Sequence, residues 1–190
     1  MPLHTPDPPT DVPDKVKTKL REFAAGAKFS TKALKGAQAD HLDLSTPHQV
    51  FTLGLNDITS GAGLAAARPV GWRYLVMDSG QLIASAETTL DPDGTNEVSQ
   101  FTEGPFVAAT DKVLHDLRKL PQLDAAGFEL RLLRISALYV MALWLHAPAI
   151  DLLVPLPPSP IKKDGKPMPP AEFFADLTEL ASSTAPLPPV

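Results

Sequence analysis

The sequence predicts an α+β domain: an antiparallel sheet of four to five strands built from two hairpins, packed on a central helix, with Pro-rich extended segments and a C-terminal helix. Three observations predict it. Residues 71–90 and 128–146 each sort into two faces when folded back as hairpins. Between them, residues 103–120 repeat apolar side chains at helical spacing. Both ends are proline-dense, which suits neither helix nor central strand.

Taken in order, residues 1–13 hold five prolines and almost nothing large and apolar, so they are expected as a disordered arm. A single domain is expected over residues 14–182. Val16, Leu20, Phe23 and Ala27 recur at steps of three or four, with Asp14 as a start signal and Gly26 near the end, giving a short amphipathic helix. Residues 28–46 read as a loop with one helical turn, and 48–55 as a strand. Residues 56–67 suggest a short helix weakened by Gly61 and Gly63 and ended by Arg68-Pro69.

The first hairpin turns at Ser79-Gly80, which sets Met77 against Leu82, Leu75 against Ala84, Tyr74 against Ser85 and Trp72 against Glu87. Asp91-Pro92-Asp93-Gly94 closes it with a turn signature. In the central helix, Pro105 suits the first turn, Phe106, Ala109, Val113, Leu117 and Leu120 form the stripe, and Pro121 stops it. The second hairpin is expected to reverse at Ser136-Ala137, pairing Leu132 with Met141, Leu130 with Leu143 and Phe128 with Leu145. Its rival is one long helix, since Leu, Met, Ala and Arg all favour helices. The clean sorting of faces favours the hairpin. Residues 155–170 carry seven prolines and must run extended. Pro169-Pro170 then open a helix with a Phe173, Phe174, Leu177 and Leu180 stripe, before a flexible tail at 183–190. The order of these elements resembles that of type III secretion chaperones and related small α+β folds. The likeness is one of order alone and carries no residues across.

A chain of 190 residues can bury roughly 70% of its unfolded surface without staples. It has no cysteine, which removes disulfides and thiolate chemistry and fits a reducing, cytoplasmic setting. No apolar run reaches membrane-spanning length and no signal peptide is expected. The net charge is −5, but residues 1–35 carry seven Lys/Arg against four Asp/Glu, and the rest ten against eighteen. An acidic body argues against nucleic acid. The basic run Lys15, Lys17, Lys19 and Arg21 reads either as a solvated helix face or as a contact for an acidic partner.

Candidate chemistry is thin, and no catalytic residue, cofactor or metal is expected. Gly61-Ala62-Gly63-Leu64-Ala65-Ala66 imitates a dinucleotide fingerprint, but it does not directly follow a strand and Pro69 cuts its helix short. The 91–97 segment has its glycine too early for a calcium loop. His41, Asp43 and His48 lack ligand spacing for zinc. The doubled P-x-x-P of 155–160 suits a spacer better than a groove ligand.

What remains is a mixed sheet face on which Trp72, Tyr74, Glu87, Glu129, Arg131 and Trp144 are expected to project. Aromatic residues with arginine are enriched at interfaces. The bland alternative is that terminal segments cover that face. The sequence therefore favours a non-catalytic protein-interaction domain binding a protein partner or a second copy as a homodimer. Its rivals are a small-molecule binder or enzyme with a pocket between sheet and terminal segments, and an accessory or structural subunit.

Overall fold

The computed structural model describes residues 3–26, 28–124, 127–161, 163 and 165–184. Its helices are α1 (Val12–Ala25), α2 (Lys32–Lys35), α3 (Leu55–Thr59), α4 (Pro105–Leu117), α5 (Pro121–Asp124) and α6 (Pro170–Thr184). The strands are β1 (Leu42–Thr52), β2 (Arg68–Asp78), β3 (Gln81–Leu90), β4 (Asn96–Thr102), β5 (Glu129–Ile135), β6 (Val140–Ala147) and β7 (Ile150–Pro155). The class is α+β, but the sheet has seven strands in the order β4-β3-β2-β1-β5-β6-β7. It is mixed, since β1 and β5 run parallel while every other pair is antiparallel. The expected four to five antiparallel strands are corrected accordingly. Two antiparallel meanders, β1–β4 and β5–β7, meet edge to edge, and the connection through α4 carries the chain from the β4 edge back to β5 beside β1.

Both hairpins form where the sequence places them, with altered registers. In the first, Ser79 and Gly80 take positive φ values of 50° and 81°, the geometry of a tight two-residue turn. Met77 pairs with Leu82 as expected, but a bulge after Val76 then shifts the ladder by one residue. Leu75 therefore pairs with Ser85, Tyr74 with Ala86 and Arg73 with Glu87. Because side chains alternate, that single extra residue moves Glu87 to the face opposite Trp72 and Tyr74. In the second, the chain reverses over Ser136–Leu138 and Tyr139, the last at φ 55°. Leu132 now pairs with Leu143 and Leu130 with Leu145, a slip of two residues. A slip of two preserves the faces, so the expected apolar side survives intact.

Three layers result. Val50, Leu75, Leu130, Leu132, Leu143, Leu145 and Val154 bury one face of the sheet against Ala109, Val113, Leu114 and Leu117 of α4. On the other face α1 covers Trp72, Tyr74, Val76, Ala84 and Ala86 through Val12, Val16 and Leu20. Beside it, α6 covers Phe51, Leu133, Ile135, Ala142, Trp144 and Leu153 through Phe173, Leu177 and Ala181. At about 25 cal/mol per Å² of apolar surface removed from water, these contacts are the main source of stability.

The proline-rich segments are laid against this body. β1 pairs with β5 only from Gln49 onward, and His4 takes the preceding place beside β5. Its N–H donates to Phe128 O at 2.8 Å, and its carbonyl accepts from Leu130 N at 2.7 Å. Met168, within the C-terminal proline-rich run, exchanges two 2.9 Å backbone hydrogen bonds with Leu153 along the outer side of β7. Of the tail read at 183–190, residues 185–190 lie outside the described residues.

Candidate functional site

The six residues expected on one interaction surface are divided by the fold. Trp72, Gln49, Arg131 and Trp144 do form one row across β2, β1, β5 and β6. Trp72 is 6% exposed and Tyr74 2%, both under α1. Burial pushes the Tyr74 phenol up from its ordinary value. Trp144 is 5% exposed. Glu87 lies on the far face, for the bulge reason given above. Only Glu129 and Arg131 of the six reach solvent in part. The Arg131 guanidinium sits 5.1 Å from the Phe51 ring and 4.8 Å from the Trp144 ring, and its Nε donates to Glu129 Oε1 at 2.6 Å. Asp151 Oδ1 accepts from Trp144 Nε1 at 2.7 Å and lies 2.8 Å from His146 Nδ1. This cluster is satisfied within itself, with Arg131 filling a cation–π slot. Terminal helices thus cover much of the face that the sequence left open.

The covering of that face moves attention to a charged cluster that the sequence reading missed. Arg73 is 1% exposed and Glu87 4%, on the α4 side of the sheet. Glu87 Oε2 accepts from Arg134 Nη1 at 2.8 Å and from Gln100 Nε2 at 2.9 Å, while Oε1 lies 3.6 Å from Arg73 Nε. Arg73 Nη1 donates to Thr110 Oγ1 at 3.2 Å, reaching α4. His48, fully buried beside Arg73, is held down to about 3 by desolvation and by that guanidinium. Its Nε2 has no hydrogen-bond partner. The available signal was a charged residue inside an apolar strand run, as in Trp72-Arg73-Tyr74-Leu75, which a fold must pair or expel.

No known protein family, curated protein or solved structure matches this chain. Function therefore rests on the geometry. Among the described residues, no three His, Asp or Glu side chains converge as metal ligands. No described helix is long and apolar enough to cross a membrane. His41 lies 4.0 Å from Asp78 at the surface while His48 is buried, so the zinc trio considered above does not assemble. The glycine-rich 61–66 segment ends in a single 3-10 turn, and Asp93 folds back onto Thr95 N and Oγ1 as an ordinary turn.

The two sheet edges differ sharply. β7 is already flanked by Met168, and Gly165 N donates to Pro155 O at 2.9 Å. β4 pairs with β3 and, among the described residues, has no backbone partner on its outer side. Beside β4 runs a groove of about 260 Å³. Its floor is a triad of rings, Phe23, Phe29 and Phe101, with centroids 5.4–5.7 Å apart. Lys19 and Lys28 line its sides, and Lys19 Nζ lies 5.5 Å from the Phe23 ring centroid. A second trough of about 500 Å³ continues it past Val98, lined by Asp11, Asp14, Glu22 and Glu97 with Lys15 and Lys19 between them. An open strand edge beside a groove with an aromatic floor can hydrogen-bond an extended chain and receive its alternate side chains.

Proposed function

We propose that this chain is a non-catalytic protein-binding module that accepts an extended segment of another protein along β4. The observation that carries this reading is the asymmetry of the edges: the outer side of β7 is occupied by the chain's own residues, while among the described residues β4 has no outer backbone partner. Natural sheets cover, charge, shorten or bulge an edge that has no use; β4 carries one bulged residue, Ser99, and one charge, Glu97, along its seven residues. The groove adds side-chain discrimination to backbone pairing. Hydrogen exchange tests the proposal. A peptide ligand selected from a random extended library should slow exchange of the amides in residues 97–101. Selected ligands that leave β4 unprotected would sink it. Light scattering of the free protein separates a partner from a second copy, since pairing through β4 of two chains would double the mass as concentration rises.

One observation favours a small-molecule reading as the runner-up. A cavity of about 380 Å³ lies between Asp7, Pro8 and Pro9 and the sheet residues Gln49, Gly71 and Trp72. It has the placement expected for a pocket between sheet and terminal segment, but Trp72 is only 6% exposed there.

A further inference from the structure

We infer that the cavity between the N-terminal arm and the sheet binds a small neutral polyhydroxyl compound, a monosaccharide or a cyclic polyol. At about 380 Å³ it falls at the small end of the range of roughly 300–1,000 Å³ usual for ligand pockets. It shares no lining residue with the grooves beside β4, so the inference stands apart from the reading of that edge.

The site is built around one preset amide. Asn96 is 5% exposed. Trp72 N donates to Thr88 Oγ1 at 3.0 Å, and that hydroxyl donates in turn to Asn96 Oδ1 at 3.2 Å. These two bonds fix the amide with its oxygen toward Thr88, which leaves Nδ2 to point the other way. Nδ2 has no partner among the described residues, yet it is not one of the sealed orphan atoms, so it opens on the cavity that Asn96 lines. The same holds for Nε1 of Trp72, whose ring is too buried to offer a stacking face. Water or a ligand must satisfy donors held in so enclosed a place.

Charge and polarity choose the ligand. No Lys or Arg lines the cavity and the exposed Asp7 stands at its rim, which disfavours an anion. The fixed groups deeper in are N–H donors, which turn away a cation. A hydroxyl both donates and accepts. Neighbouring hydroxyls of one molecule therefore satisfy the inner N–H groups and the outer carboxylate together, and the Gln49 amide can serve in either sense. Pro8, Pro9 and Leu90 add apolar wall for the C–H groups of a ring.

The test titrates the full isotope-labelled chain with D-glucose, D-galactose, D-xylose and myo-inositol, and separately with L-alanine, propionate and ethylammonium. At least one of the hydroxyl compounds should shift the Asn96 side-chain amide and Trp72 indole resonances saturably at millimolar concentration, while the charged compounds leave them in place. Asn96→Asp keeps the oxygen that receives Thr88 and turns the donor into an acceptor, so affinity should fall about tenfold, the scale of one hydrogen bond. Asp7→Ala, on an exposed residue of the arm, should weaken binding about fivefold without moving the thermal midpoint, which keeps the test readable if Asn96→Asp unfolds. Saturable shifts of these resonances by a charged compound, and by none of the hydroxyl compounds, would overturn the ligand class. No response to any compound, or binding that the folded variants leave unchanged, would overturn the site. The β4 reading survives each of these results.

Discussion

His48 shows how one residue converts burial into a pH dependence. It is fully buried, its Nδ1 lies 2.9 Å from Thr46 O, and Arg73 stands beside it. Desolvation and that guanidinium hold it near 3, below its ordinary 6.5. Above pH 6.5 both folded and unfolded chains carry it neutral, and its contribution is complete. As pH falls below 6.5 the unfolded chain takes up a proton that the folded chain refuses until about pH 3, so stability drains across that window. The slope approaches about 1.4 kcal/mol per pH unit. Urea unfolding of the protein and of His48→Gln between pH 7.5 and 5.5 should show a steeper acid loss in the parent. Identical slopes would contradict a neutral buried imidazole. Arg131 teaches a related point. The sequence marks it as a surface anchor, yet its guanidinium fills a slot between Phe51 and Trp144, so its first contribution is to packing.

Among the elements, β2 carries the least tolerance. Gly71 has φ 151°, and a Cβ built there would stand 1.9 Å from Thr88 O. No side-chain adjustment relieves a clash with backbone, so β2 and β3 would have to separate. Gly71→Ala should cost at least about 3 kcal/mol, because strain and a lost ladder act together. Chemical denaturation measures it, and a loss below about 1 kcal/mol would refute the close approach. The two hairpins show how far local sequence specifies an element. Ser79-Gly80 announces its turn, and the turn is there. Residues 136–139 contain no glycine or proline, and the reversal, closed by Tyr139 in a left-handed conformation, lies later than expected. Alternation still fixes the faces, because the slip is an even number of residues. The bulge after Val76 is an odd one, and no residue type announces it. That is why alternation alone sets Glu87 with the tryptophans.

At the level of the whole molecule, Glu87 ties the two halves of the sheet together. Arg134 belongs to β5 and Glu87 to β3, with β2 and β1 between them. Three strand spacings amount to about 14 Å, yet the two side chains meet at 2.8 Å. The reach of the two long side chains across β2 and β1, on the α4 face, makes that contact. Glu87→Gln would leave the buried Arg73, and the part-exposed Arg134, without their carboxylate. The expected loss is about 3–5 kcal/mol, read from denaturant midpoints at neutral pH. A neutral effect would mean that Arg73 and Arg134 are solvated from elsewhere. The same global arrangement decides which surface is free. α1, α6 and the proline-rich segments cover the indole-bearing face and the β7 edge, and the outer side of β4 has no backbone partner among the described residues.

By itself the sequence determined the α+β class, both hairpins, the central and C-terminal helices, and the apolar face of 128–146. Those follow from periodicities of two and 3.6 residues, which act between near neighbours. Tertiary structure alone decided the parallel junction of β1 with β5, the pairing of Arg73, Glu87 and Arg134, and which sheet edge has no backbone partner among the described residues. These depend on meetings between residues far apart along the chain, set by how whole faces are buried, and no local pattern encodes which distant segment arrives.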